Sequence, residues 1–557
     1  MKDRSVMMKA MKKALCLLLA LALTLALGAC GKGGEGEEEN NDIQLSDELS
    51  GETLTAGDAA DKVFSLAVDL EKSLNPITTT STLNQNVDNL VYDRLFEVDE
   101  NFNVTSRILE DWYYSKNDNG GGTWILSVRD GIKMHDGSTL TADDIVYSVS
   151  RIATSGSTYF QQTGRVYCSA FQGQVYLTGD YANGLLPQRM SIPVIKQVEN
   201  SILQNTPVGS GPYVFSEDLS CLEKFEDYET ADTLPFDKVY LRPYTDPEGL
   251  ITEYESALVD LVLNDPTSIY NMGYGGKNET RSYATTNLHF VCFNSRSEFF
   301  QYDAYRTAMS WIIDREGIAE DVLDGHADAA AIPIHPNSSL FDKEAADEIA
   351  FDPDRCRLEL ERGGCRDLDG DGMLEYALSG TKKEIEINFL VCADSADKVA
   401  AARRIASDME AVGLYVHMRE MTWKEYQAAL RADPDAEDEE DRPEWIWDMF
   451  YGEIFMASDW NTLTLYTGDW EKDGTLNYGK WNVPELQQAM YAFIGATPEE
   501  RPAAEADYLA ALRQTTAFLS VCYEKKQVLT HIGIVKGINP NQFNALAGVA
   551  NWQVNLG

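Results

Sequence analysis

The sequence predicts a mixed α/β protein, and three observations carry that prediction. Short apolar strands alternate with amphipathic helices, and no segment recurs at a fixed period. One stretch reads strand–helix–strand: Ile385 to Val391, then Val399 to Val412 closed by Gly413, then Leu414 to Met418. The composition is globular, with 44% apolar and 10% aromatic residues, so the chain can fill a large core. About five hundred residues follow the leader, enough for roughly three domains.

The first elements set the compartment. Lys2, Arg4, Lys9, Lys12 and Lys13 form a cationic region, and Ala14 to Ala26 is almost wholly Ala and Leu. This pattern predicts a secretory signal, too short and wrongly flanked for a stable membrane span. It ends in Leu27-Gly28-Ala29-Cys30, which resembles the lipobox of bacterial lipoproteins. Cleavage before Cys30 leaves a thiol and an amino terminus that carry acyl chains, and each buried CH₂ adds roughly 0.8 kcal/mol of membrane affinity. Residues 1–29 are the signal peptide and 30–60 an acidic tether, opened by the glycine- and glutamate-rich run Gly31 to Asp42. The mature chain is expected outside the cytosol, lipid-anchored to the cell membrane through palmitate-type acylation. The formal net charge of −44 repels nucleic acid and anionic lipid surfaces.

Further along, Val63 to Val68 is a strand closed by Asn75-Pro76. Asn86 to Phe96 is a helix with Val87, Leu90, Val91 and Leu95 on one face. Trp124 to Val128 is a strand, Arg129-Asp130-Gly131 a turn, and Lys133 to Gly137 leads into another strand. Thr141 is a helix N-cap, with Asp143 and Asp144 in the first turn and Ile145, Val146 and Val149 on the apolar face. Asp433 to Asp441 is a solvated acidic loop. Seven cysteines lie beyond Cys16 and Cys30, without C-x-x-C spacing. Cys292, Cys392 and Cys522 sit in apolar runs as small hydrophobes, and Cys356 and Cys365, though close in sequence, are expected to remain unlinked.

The motifs with chemical potential mostly read as structure. His135-Asp136-Gly137 is a turn signal before it is an acid–base pair. Asp367-Leu368-Asp369-Gly370-Asp371-Gly372 resembles the start of a calcium loop, but position twelve is Leu378 where a bidentate Glu is needed. A tight acidic turn is the first reading there and a calcium site the alternative. The six histidines lack metal-ligand spacing, and no G-x-S-x-G, H-E-x-x-H or Walker A pattern occurs. No metal, cofactor or enzymatic activity is expected.

Several separated stretches carry a resemblance. Residues 112–151, with Trp124, Arg129-Asp130-Gly131, Met134-His135-Asp136-Gly137 and the helix from Thr141 to Arg151, resemble the signature of the family 5 extracellular solute-binding proteins. These are the oligopeptide-, dipeptide- and nickel-binding receptors of ABC importers. Leu74-Asn75-Pro76, Tyr92 to Phe96, Pro207 to Tyr213, Asp303 to Arg315, and Phe351-Asp352-Pro353 followed by Asp367 to Gly372 resemble the family's motifs in its order.

The resemblance implies a two-lobed, three-domain periplasmic-binding-protein-like fold of the class II, oligopeptide-receptor type, with a hinge. Domain I would comprise 61–89, 207–290 and 531–557, domain II 90–206, and domain III 291–530. The implied function is peptide transport: a monomeric, membrane-tethered receptor closes over an oligopeptide or related small solute and delivers it to importer permease subunits. A sensor or chaperone lipoprotein uncoupled from import is one alternative, and an exported hydrolase another.

The ligand residues implied are Thr82, at the end of the loop after the first strand; Asn264, Tyr283 and Phe290 of domain I; and Trp423, the aromatic wall, whose alternative is a core tryptophan. The strand Gly452-Glu453-Ile454-Phe455-Met456-Ala457-Ser458-Asp459-Trp460 departs from the family's pattern. Met456 falls where peptide receptors carry the aspartate that receives the peptide amine. Glu453 and Asp459 are the acids left to compensate, and the departure weakens the case for a peptide ligand.

Overall fold

The computed structural model describes residues 63–556 except 118–120, 269–270, 272, 379–380, 434–442, 444 and 469–475. The signal peptide, Cys30, the tether and most of the acidic run 433–441 lie outside the described residues. The strand expected at 63–68 forms as Phe64–Val68, buried throughout. It pairs in parallel with Lys238–Pro243, which continues antiparallel through Cys221–Lys224 to Tyr213–Phe215.

The helix expected at 86–96 forms earlier, as Thr82–Val91, with Ser81 as its N-cap. Tyr92 turns extended, at φ −122° and ψ 121°. Tertiary partners override the helical period there. Leu95 N–H donates to the Ile192 carbonyl at 2.9 Å, Asp93 is ion-paired with Arg107, and Arg94 donates to the Ser191 carbonyl at 2.6 Å.

The signature segment folds as a four-stranded antiparallel sheet in the order Leu109–Lys116, Gly122–Val128, Gln174–Gly179, Val166–Phe171. The helix Ala142–Thr154 packs on it, and the Asp144 carboxylate accepts from both the N–H and the hydroxyl of Thr141, at 2.8 and 2.7 Å. Lys133 to Gly137 is not a strand. Lys133 bridges Thr139 around a tight turn in which Gly137 has φ +80°. The His135 ring bonds the Gly211 carbonyl at 3.0 Å, so two of the separated motifs meet. Burial lowers the His135 pKa. Gly211 is required here, because a Cβ would meet the Val91 carbonyl carbon at 2.5 Å.

Among the described residues the largest sheet has seven strands. Six run in the order Leu261–Asn264, Phe518–His531, Asn278–Phe293, Met449–Phe455, Glu386–Cys392, Tyr415–Met421, and Ala327–Ala329 pairs with Phe518–His531. The strand–helix–strand unit forms as Glu386–Cys392, Ala396–Ala411 and Tyr415–Met421, with its strands parallel. Gly413 turns the chain back at φ +93°. The motif Asp303 to Arg315 folds as the helix Asp303–Ala308, the 3-10 turn Met309–Trp311 and a short turn capped by Asp314. Its arginines act as buried posts: Arg306 donates to the Thr515 carbonyl at 2.9 Å and Arg315 to that of Ser520 at 2.8 Å.

Two large apolar cores result, and the strands Asn278–Phe293 and Phe518–His531 run from one to the other. Tyr283 and Val528 belong to one core, while Leu288 to Phe293 and Phe518 to Tyr523 belong to the other. Where they cross, the pairing slips between Ala284 and Leu288 and again between His289 and Phe290. Thr286 bonds elsewhere in that gap: its N–H donates to Gln542 Oε1 at 2.7 Å and its hydroxyl to the Met456 carbonyl at 2.6 Å. The seven described cysteines are all free thiols, Cys356 and Cys365 included. No helix among the described residues is long and apolar enough to cross a membrane.

Candidate functional site

The register slip opens onto a group of adjoining cavities. The first, about 580 Å³, has Trp423, Tyr426, Phe290 and Phe450 as aromatic surface and Glu453 and Lys398 as charged groups. The second, about 470 Å³, shares Asn287 and Lys526 with it. The third, about 400 Å³, shares Thr82 and Leu263 with the second and Asp265 with the first.

Trp423 opens the helix Trp423–Arg431, where the Glu425 carboxylate accepts from the Thr422 N–H and hydroxyl. Its backbone N–H donates to Asp394 Oδ2 at 3.1 Å. The indole is 53% exposed and stacked on Tyr426, ring centroids 6.0 Å apart, so it lines the first cavity and is not a core tryptophan. Tyr426 is fixed from behind by donating to the Tyr451 carbonyl at 2.8 Å.

Glu453 forms an ion pair with Lys398 at 2.5 Å. Lys398 stands in the first turn of the helix Ala396–Ala411, whose Ser395 cap also lines the cavity. Beneath them His289 Nε2 meets Glu524 at 2.7 Å and Nδ1 meets the Tyr451 hydroxyl at 2.8 Å. Asn287 donates to Glu524 at 2.5 Å and to Glu453 at 3.3 Å. Burial alone would raise the Glu524 carboxyl, but the His289 and Asn287 hydrogen bonds and the Lys398 charge hold it down to about 2. Burial would lower His289, yet Cys522 and Glu524 beside it push it up to about 10.

The structure brings together six of the residues expected at the site. Phe290, Trp423 and Glu453 line the first cavity. Tyr283 lines the second, its phenol pushed up by burial. Thr82 lines the second and third, as the first residue of its helix rather than the end of a loop. Asn264 lines the third and donates to Gln527 Oε1 at 3.0 Å.

Met456 and Asp459 are not on these walls. Met456 is 2% exposed, with its N–H on the Thr286 carbonyl and its sulfur 3.8 Å from the Tyr523 hydroxyl. Asp459 is fully buried and engages Arg189 at 3.0 Å and Asn183 at 2.8 Å. The chain leaves the strand after Phe455, and alternation no longer projects side chains into the cavity. Lys398, Asp394, His289 and Glu524 went unnoticed in the sequence; the signal available was an acid at the end of the apolar run FLSVCYE and a histidine inside HFVCF.

Two groups have metal-ligand geometry among the described residues: His289, Glu453 and Glu524, and Asp367, Asp369 and Glu375, the atoms of each within 4.8 Å of one another. In the first, Lys398 already pairs with Glu453 at 2.5 Å and His289 bonds Glu524 at 2.7 Å. In the second, Asp367 accepts from the Gly370 and Gly372 amides and Glu375 from that of Leu368, as an acidic turn requires. For acyl transfer the first group is poorly arranged, since His289 bonds Tyr451 and Glu524, and the adjacent Cys522 is fully buried.

Residues 103–472 match the model of the bacterial extracellular solute-binding proteins, family 5, middle region. The oligopeptide-binding protein AppA of Bacillus subtilis is 24% identical over 63% of this chain and 67% of its own length. Heme-binding protein A of Haemophilus influenzae is 21% identical over 60% of this chain and 66% of its own. A nickel ABC transporter structure from Bacillus halodurans superposes with a TM-score of 0.66 at 18% identity, covering 89% of this chain and 100% of that one. With a family match over most of the described chain, this protein belongs to the family 5 bacterial extracellular solute-binding proteins.

Proposed function

We propose that this protein captures an oligopeptide, or a related solute bearing an amine, and delivers it to an ABC importer. The observation that carries the proposal is the first cavity: an exposed Trp423–Tyr426 stack facing carboxylates at Glu453 and Asp394, beside the slip in the two connecting strands. A stacked aromatic wall takes apolar side chains at low entropic cost. Carboxylates near it take an ammonium group, which inside a closing site needs a charged partner. Glu453, already paired with Lys398, would share its charge between that lysine and the solute amine, in place of the charge that Met456 lacks. AppA of B. subtilis, an oligopeptide-binding protein by name, supports the ligand class.

Division into domain I (61–89, 207–290, 531–557), domain II (90–206) and domain III (291–530) puts both connecting strands across the boundary between I and III. Closure about that boundary is hinge motion, driven only by contacts made when closed. The protein acts as a non-catalytic monomer, anchored by lipid on Cys30. Native mass spectrometry of the freshly purified protein tests the proposal. A co-purified peptide mass lost on denaturation supports it, and a bound sugar or metal chelate refutes the ligand class.

A second reading has one observation in its favour. His289, Glu453 and Glu524 gather as a metal would require, so a metal chelate is the competing solute. It would have to displace Lys398 from Glu453.

A further inference from the structure

The second cavity differs electrostatically from the first. Among the described residues that line it none is Asp or Glu, and Arg94 and Lys526 carry the charge. The first cavity has Asp265, Asp394, Glu453 and Glu524 on its wall against Lys398 and Lys526. The charge on the walls therefore changes sign from one cavity to the next, with Lys526 shared between them.

Arg94 singles out the position. It is 8% exposed, and a guanidinium so buried needs a charged partner. Its hydrogen bonds go to uncharged groups instead. Nε and Nη2 donate to Asn89 Oδ1 at 3.0 and 2.5 Å, Nη1 to the Ser191 carbonyl at 2.6 Å, and Nη2 to the Tyr159 hydroxyl at 3.4 Å. Asp93, its neighbour in the chain, is taken by Arg107. Asp88 acts on Arg94 from the preceding helix, but burial pushes that carboxyl well above its ordinary range. A carboxylate entering the second cavity would supply the charge that Arg94 lacks. Lys526 reinforces it. The ammonium has three donors, and its pair with Asp265 at 3.0 Å is 41% and 31% exposed, so sharing or opening that pair costs little.

We infer that the second cavity is a subsite for a carboxylate of the solute, held by Arg94 and Lys526, so that the solute lies with its amine in the first cavity and its carboxylate in the second. Opposite charges at the two ends of one cleft fix the direction of a zwitterion. A carboxylate entering the other way round meets Asp394 and Glu453. The inference rests on the peptide reading for the amine end, and the carboxylate is either the peptide C-terminus or an Asp or Glu side chain.

Calorimetry tests the subsite with penta-alanine as free acid and as C-terminal amide, and with the amide carrying Glu or Gln at each position in turn. A C-terminal source makes the free acid bind about tenfold tighter than the amide, as a charge-assisted hydrogen bond allows. A side-chain source makes Glu exceed Gln by about that factor at one position. Lys526→Met should reduce the advantage to about threefold, and Lys526→Glu should remove it, because a carboxylate then faces that of the ligand. Arg94→Gln should remove it too; where that variant melts early, Lys526→Glu decides. Equal binding of acid and amide together with equal binding of Glu and Gln everywhere, or an advantage that survives Lys526→Glu, overturns the subsite and leaves the peptide reading standing. Binding of none of these peptides overturns the peptide reading and the subsite with it.

Discussion

His289 donates to Glu524 at 2.7 Å across the two strands that connect the cores, at the second register slip. The pair holds the crossing together and forms the floor beneath Glu453 and Lys398. An ion pair so deeply buried is expensive to break, since one partner left alone keeps an uncompensated charge.

Stability should therefore follow pH through this pair. His289, raised from 6.5 to about 10, contributes fully below about pH 6.5, and that contribution is lost as pH rises through 10. Glu524, lowered from 4.5 to about 2, contributes fully above about pH 4.5, and that contribution is lost as pH falls through 2. Glu524→Gln should cost about 3–5 kcal/mol by urea unfolding at pH 6 and flatten the acid limb. An unchanged acid limb would show that the pair is not ionised.

Trp423 is the proposed aromatic wall of the first cavity. Its exposure means that Trp423→Ala should leave the melting temperature nearly unchanged while weakening peptide binding by about 1–3 kcal/mol. Ligand should also change the wild-type tryptophan fluorescence, with most of that change absent in the variant. A variant that unfolds, or that binds like wild type, contradicts the wall assignment.

Asp459 is a strut in this account. Asp459→Asn should lower stability by about 3–5 kcal/mol, because Arg189 loses its buried partner. Discrimination between free-amine and N-acetylated peptides should be unchanged. Loss of that discrimination with stability intact would return Asp459 to the binding site.

Cys30 is the expected first residue of the mature chain. Cells fed labelled fatty acid should label the wild type, and Cys30→Ser should lose the label and release protein to the medium. Label retained by the variant defeats the lipid anchor.

The α/β class and the strand–helix–strand unit at 386–421 were legible because burial there follows clean periods, and Gly413 marks the turn. That Trp423, Phe290 and Tyr283 line cavities was legible through the order of the motifs. The helix forms at 82–91 and not at 86–96 because Tyr92 to Phe96 keeps an apolar period while its backbone answers to Ile192 and its charges to Arg107 and Ser191. Met456 and Asp459 misled because alignment on Gly452 assumes a continuing strand, and the strand ends at Phe455. Lys398 and Glu524 were hidden because they reach Glu453 and His289 from separate elements.

The central claim is that Glu453 receives a solute amine in a cavity walled by Trp423. Calorimetry with matched di- to pentapeptides, free or N-acetylated, measures this directly in wild type and in Glu453→Gln. The account predicts that wild type prefers the free amine by about tenfold or more, as a charge-assisted hydrogen bond of about 1.5–3 kcal/mol implies, and that Glu453→Gln removes most of the preference. Equal binding of both forms to wild type, or a preference untouched by Glu453→Gln, would contradict it.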